Sequence, residues 1–92
     1  FRALENLFKL ARERKENPVD GSYTNKLLSN KSLSKSKVLE EINELIEAVE
    51  KDTNKIHEAA DVFYHLIIYL EAHNIKIEDI EEELEKRKKS NE

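Results

Sequence analysis

The stretch Val38-Leu39-Glu40-Glu41-Ile42-Asn43-Glu44-Leu45-Ile46-Glu47-Ala48-Val49 decides how this chain folds. Val38, Ile42, Leu45 and Val49 recur at four-three-four spacing, widened by Leu39 and Ile46, which is the rhythm of a helix with one apolar side. A second run keeps that rhythm with Ile56, Ala60, Phe63, Ile67 and Leu70. Between the two, Asp52-Thr53-Asn54 is a turn made of cap-forming side chains. So short a turn makes the helices antiparallel neighbours, and the pattern predicts a hairpin whose apolar seams pack together.

The same two helices carry paired carboxylates, Glu41-x-x-Glu44 and Glu58-x-x-Asp61. Residues three apart share a helix face, and like charges placed there cost roughly 0.2–0.5 kcal/mol per pair. Thirteen residues separate Glu44 from Glu58, few enough for the pairs to face each other across the hairpin. Four acids gathered in this way suit a positive guest. The chain has no Cys, so the natural guest is a hard divalent cation such as Mg²⁺, which takes oxygen ligands and binds beside substrate phosphates. The competing reading makes all four acids solvent-facing helix formers, as Glu47, Glu50 and Glu71 are expected to be.

Composition supports helices. Among 92 residues there is one Gly and one Pro, while 39% are charged, which argues against a sheet protein full of tight turns. The length suits a single domain, residues 1–92. A chain this short buries only about 60–65% of its unfolded surface, so a homodimer that covers more is expected. Without Cys there is no disulfide, zinc-thiolate site or thiol nucleophile, which is compatible with a reducing, cytoplasmic setting. No apolar run approaches the ~20 residues of a membrane span, and no charged-then-apolar leader is read at the start. Residues 1–37 hold nine Lys/Arg against four Asp/Glu, and residues 38–92 hold seven against sixteen. A basic front without a basic stripe through the fold suits a small phosphorylated ligand better than nucleic acid.

The remaining segments follow from local signals. Leu4, Leu7, Phe8 and Ala11 mark a helix over residues 1–16, which Asn17-Pro18 ends. Asp20-Gly21 is a turn, and Ser22 to Leu28 is expected to be a polar connector with an apolar foot at Leu27 and Leu28. The Ser/Lys-rich passage Ser29 to Ser36 opens the next helix, with Ser32 or Ser34 as N-cap, and that helix runs to about Lys51. The third runs to about His73, where Asn74 stops it, and Ile77, Ile80 and Leu84 begin a fourth. Its Glu82/Lys86, Glu83/Arg87 and Glu85/Lys89 pairs are four apart in the favourable order, as in a solvated structural helix. The expected fold is all-α and four-helix bundle-like. His57, His65 and His73 step by eight residues, about 80° apart around a helix, so they form no ligand stripe. His57 and His73 are read as surface residues.

Lys37-Val38-Leu39-Glu40-Glu41-Ile42-Asn43-Glu44, followed by Glu58-Ala59-Ala60-Asp61-Val62-Phe63-Tyr64-His65-Leu66, resembles the all-α NTP pyrophosphatase superfamily. Its signature is Glu-Glu-x-x-Glu, a spacer, then Glu-x-x-Asp. Gly21-Ser22-Tyr23-Thr24-Asn25-Lys26-Leu27 is similar to the phosphoribosyl-ATP pyrophosphatase branch, and Ile77-Glu78-Asp79-Ile80 to Arg87 is similar to that branch's last helix. The chain departs from the branch at Leu39, where Gly is usual, and Glu41 to Ala48 reads more like the general nucleotide members. Leu at that position is the better helix former by about 1 kcal/mol.

The resemblance implies Mg²⁺-dependent hydrolysis between the α and β phosphates of phosphoribosyl-ATP, in histidine biosynthesis. It implies Glu41, Glu44, Glu58 and Asp61 as metal ligands, with Glu40 and Glu41 on the catalytic side. Ser22, Tyr23, Thr24, Lys26 and Lys37 become substrate-binding candidates, the lysines as point charges for phosphate, and His65 stands behind the ligands. Two alternatives remain at this stage: a general nucleoside-triphosphate pyrophosphatase, and a catalytically silent helical interaction module.

Overall fold

A computed structural model describes residues 1–89, and among these every regular element is a helix. They are α1 (Arg2–Glu16), α2 (Tyr23–Ser29), α3 (Lys31–Lys51), α4 (Lys55–Ala72) and α5 (Ile77–Lys89). The all-α expectation holds, with one more helix than the sequence suggested. The segment expected as a connector is α2. Ser22 holds an extended backbone and its Oγ accepts the Asn25 N–H at 3.2 Å, the geometry of an N-cap. A helix of seven residues is unstable alone. Here Leu27 is fully buried beside Ala11 of α1 and Ile68 of α4, so packing holds what propensity cannot.

The cap of α3 also differs from expectation. Asn30, not Ser32 or Ser34, accepts the Leu33 N–H at 3.0 Å. Ser34 lies inside the helix and is buried, with no partner for its hydroxyl among the described residues. The turn at Asp52-Thr53-Asn54 is as read. Asp52 (φ 56°) and Asn54 (φ 38°) take the left-handed conformation, which Asp and Asn tolerate better than most side chains. The Thr53 N–H reaches back to the Ala48 carbonyl at 2.9 Å, closing the end of α3. Asn74 (φ 60°) ends the α4 passage in the same manner, with the Ile75 N–H on the Leu70 carbonyl at 2.9 Å. Gly21 at φ +79° completes the turn before α2, where any side chain would be strained.

Helices α3 and α4 form the predicted hairpin, and α1 and α2 pack on α4. The core centres on Ala11, Leu27 and Ile68, with Leu7, Leu28, Leu33 and Tyr64 around them. The inward side of α3 is not the apolar seam that its sequence displays. Its buried residues are Ser34, Glu41 and Ala48, seven apart, while Leu39, Ile42, Ile46 and Val49 are exposed. On α4 Ile56 (87% exposed), Ala60 and Phe63 of the expected seam lie outside, while Ile67 is buried as expected, together with Val62, His65, Ile68 and Ala72. A 3.6-residue period reveals an apolar stripe without saying what covers it. Here the chain itself covers a neighbouring, more polar stripe.

Glu71 is a second reversal. Expected in solvent, it is 2% exposed and held by Arg12 Nε at 3.0 Å and Lys15 Nζ at 3.7 Å, both from α1. The Arg12 fork continues to Glu78 of α5, at 2.9 and 2.6 Å. No residue of α5 is buried, so this ion pair is its principal link to the body.

Candidate metal and substrate site

Two short carboxylate clusters meet across the hairpin. Glu40, Glu41 and Glu44 of α3 bring one oxygen each within 4.8 Å of one another, and so do Glu58 and Asp61 of α4 with a nitrogen of His57. The antiparallel register sets Glu41 against Asp61 and Glu44 against Glu58. Asp61 contributes to the field at Glu41, while Glu44 and Glu58 line one hollow of about 310 Å³ with Glu47, Ala48, Thr53 and Asn54. All four predicted acids therefore share one seam.

Glu41 bears the strain of this arrangement. It lies in the buried stripe between Ser34 and Ala48, 5% exposed. Burial pushes its carboxyl up to about 7, helped by hydrogen bonding with Glu44 and by the charges of Glu44 and Asp61, and opposed by Lys37. A cation among these oxygens would relieve both the burial cost and the repulsion. The donor set, oxygen-rich and without sulfur, fits Mg²⁺. His57, expected as a plain surface residue, is exposed but sits 3.3 Å from Asp61 Oδ2. Its i,i+4 spacing to Asp61 was the available signal.

The predicted substrate residues divide by role. Lys37 donates to Glu40 at 2.9 Å, a contact that raises the lysine pKa, and stands within the field of both Tyr23 and Glu41. Tyr23 and Lys26 line an open hollow of about 730 Å³, walled also by Arg14, Lys15 and the Pro18 to Ser22 turn. The hydroxyls of Ser22 and Thr24 also make contacts within the chain. Ser22 Oγ caps α2 and accepts from Arg14 at 2.7 Å, and buried Thr24 pairs with Tyr64 Oη at 2.6 Å. Both order the wall of the hollow. Arg14, which sequence reading passed over, enters the wall because Asn25 Nδ2 also holds its carbonyl at 2.8 Å.

Behind the acids, His65 is buried and spans to the hollow. Its Nδ1 lies 2.8 Å from the Asp61 carbonyl, and its Nε2 lies 3.1 Å from Tyr23 Oη. A carbonyl only accepts, so Nδ1 carries the hydrogen. His73 lies exposed at the end of α4, as expected.

Comparison with known proteins agrees in one direction. The family model described as phosphoribosyl-ATP pyrophosphohydrolase matches residues 2–88. The chain is 48% identical over 89 residues to the phosphoribosyl-ATP pyrophosphatase of Clostridium acetobutylicum, covering 91% of this chain and 79% of that one. It is 42% identical to the phosphoribosyl-ATP pyrophosphatase of Methanococcoides burtonii, covering 92% and 91%. It is also 41% identical to the histidine biosynthesis bifunctional protein HisIE of Caldanaerobacter subterraneus subsp. tengcongensis, of which it spans 43%.

Proposed function

The chain belongs to the phosphoribosyl-ATP pyrophosphohydrolase family, and from that premise we propose that its acid seam is a Mg²⁺ site serving hydrolysis of phosphoribosyl-ATP. It is a hydrolase of histidine biosynthesis, acting on phosphoribosyl-ATP. The bond broken is the α–β phosphoanhydride. Water supplies the new P–O bond, the products are phosphoribosyl-AMP and pyrophosphate, and the displaced proton goes to a base and then to solvent.

The observation that carries the metal assignment is buried Glu41, crowded by Glu44 and Asp61 at the crossing of two helices. Glu41, Glu44, Glu58 and Asp61 would hold the ion. When bound, Mg²⁺ neutralises triphosphate charge and lowers the pKa of bound water. Glu40, oriented by Lys37, lies at the rim of the cluster and accepts the proton of the attacking water. Lys37, beside Glu40, and Lys26 draw the phosphates in, and Arg14, ordered through Ser22, adds a planar cation to the wall that Lys26 lines. Ser22 and Thr24 act by holding α2 and Tyr64 in place.

Residues 1–92 serve as one domain in a homodimer. Leu39, Ile42, Ile46, Val49, Ile56 and Phe63 form an exposed apolar face on the hairpin, which a second copy would cover. No described helix is long and apolar enough to cross a membrane. A cytoplasmic setting, with no nucleic-acid partner, suits a small nucleotide substrate.

The deciding test is product identification from phosphoribosyl-ATP with and without Mg²⁺, beside a panel of NTPs and dNTPs. Calorimetric titration with Mg²⁺ reports the metal separately. Phosphoribosyl-AMP and pyrophosphate formed only with Mg²⁺ are expected. Equal or faster turnover of NTPs would move the reading to a general pyrophosphatase. No turnover of any nucleotide would move it to a silent module.

A further inference from the structure

We infer that Tyr23 selects the nucleoside portion of the substrate, as a hydrogen-bond acceptor for a ribose hydroxyl or a base N–H, and that His65 is the positioning residue that makes it one. The inference rests on the proposed reaction for the identity of its ligand. Its physical basis is a chain of three groups on two helices. The Asp61 carbonyl takes the His65 Nδ1–H at 2.8 Å, within one turn of α4. With the ring neutral, Nε2 then carries only a lone pair. Tyr23 Oη, 3.1 Å away, must donate to it.

The phenol has a proton to give, because burial raises its pKa above the ordinary tyrosine value, against the pull of Lys37. Its ring is fixed as well. Tyr23 stacks on Tyr64 at 6.4 Å between centroids and 14° between planes, and Thr24 holds Tyr64 by its hydroxyl. His65 meets both rings edge-on, at 5.8 and 5.0 Å. Tyr23 is nonetheless 44% exposed and lines the large hollow.

A phenol whose hydrogen is committed offers the hollow lone pairs only. An ionised phosphate oxygen also has only lone pairs, so Tyr23 repels it, whereas sugar hydroxyls and base N–H groups can donate. Phosphate recognition is left to Lys26, Lys37 and Arg14.

The experiment measures kcat and KM for phosphoribosyl-ATP, and the inhibition constant of pyrophosphate, in the wild type, three single variants and the Tyr23→Phe/His65→Asn double variant. Tyr23→Phe keeps the stacked ring and removes the oxygen. His65→Asn keeps a donor for the Asp61 carbonyl and loses Tyr23. His65→Gln reaches toward Tyr23 in place of Nε2. Circular dichroism confirms that each is folded. Tyr23→Phe is expected to raise KM about tenfold, one hydrogen bond's value, with pyrophosphate inhibition unchanged. His65→Asn should match it, the double variant should be no worse than either, and His65→Gln should recover part of the loss.

A parallel rise in the pyrophosphate constant would overturn the inference, because the phenol would then be serving phosphate. Unchanged KM in Tyr23→Phe would overturn it too. The phosphoribosyl derivative of 2′-deoxy-ATP separates the two donor sources. A wild-type penalty absent in Tyr23→Phe identifies the 2′-hydroxyl, and a penalty equal in both assigns the donor elsewhere on the nucleoside. Should wild type turn over a different nucleotide, the proposed reaction fails, and the same coupling is then read on that nucleotide.

Discussion

Glu41 sits on the buried stripe of α3 between two small residues, where a hydrophobic side chain would ordinarily serve stability. Its carboxyl, raised to about 7, binds a proton in the folded chain that the unfolded chain has already released. Metal-free stability should therefore fall as pH rises from the unfolded value near 4.5 through about 7. Thermal scans in chelator should show this slope, and Glu41→Gln should flatten it and raise the melting temperature at the alkaline end. Glu44→Gln and Asp61→Asn should cut turnover by orders of magnitude with the helices intact, because each removes a ligand charge while relieving repulsion. Retained activity of both at limiting Mg²⁺ would sink the metal site. Ser34 offers a separate check. Its buried hydroxyl has no partner among the described residues, so Ser34→Ala should gain roughly 0.5–1 kcal/mol, read as a higher urea midpoint at unchanged slope.

Among the elements, α5 depends most on charge. Its Ile77 and Ile80 are only half-buried, and the fork of Arg12 on Glu78 ties it to α1. Arg12 holds the Glu78 carboxyl down to about 2. That contact is fully present above the unfolded value near 4.5 and is lost as pH falls from there towards 2. Glu78→Gln should loosen α5 without disturbing Glu71, which keeps both Arg12 and Lys15. Faster amide exchange confined to residues 77–89 is the expected result, and exchange unchanged there would show that apolar contacts hold the helix. Arg12→Ala is the harsher change. It deprives the buried Glu71 of its closest cation and leaves Lys15 alone beside it, so a lower melting temperature than that of Glu78→Gln is expected.

At the scale of the whole molecule, the core is small and the apolar surface large. Three fully buried apolar side chains, on α1, α2 and α4, centre the core, while Leu39, Ile46, Val49, Ile56 and Phe63 are each more than half exposed. Fully burying such a side chain is worth roughly 1.5–3 kcal/mol, and the part still in water forgoes a corresponding share. Leu39→Glu with Ile46→Lys should accordingly yield a monomer by sedimentation, with helices retained and a lower melting temperature. An unchanged sedimentation coefficient, or wild-type protein that is already a monomer at micromolar concentration, would remove the dimer from the proposal.

Local signals were enough for the long helices, the turns at Asp52–Asn54 and Asn74, and the opposition of the two acid pairs, because period, breakers and a short turn all act within a few residues. What they could not decide was orientation. The apolar stripe of α3 was plain in the sequence, yet the chain buries the stripe of Ser34, Glu41 and Ala48 beside it. Only the packing of α4 on α1 and α2 selects that face. Helix α2 is too short to display a period and exists because Leu27 fills the space between Ala11 and Ile68. Glu71 looks like any surface acid until Arg12, 59 residues earlier, is brought beside it. Tyr23 and His65 are 42 residues apart, so the hydrogen bond that sets the phenol's role belongs to the tertiary structure alone.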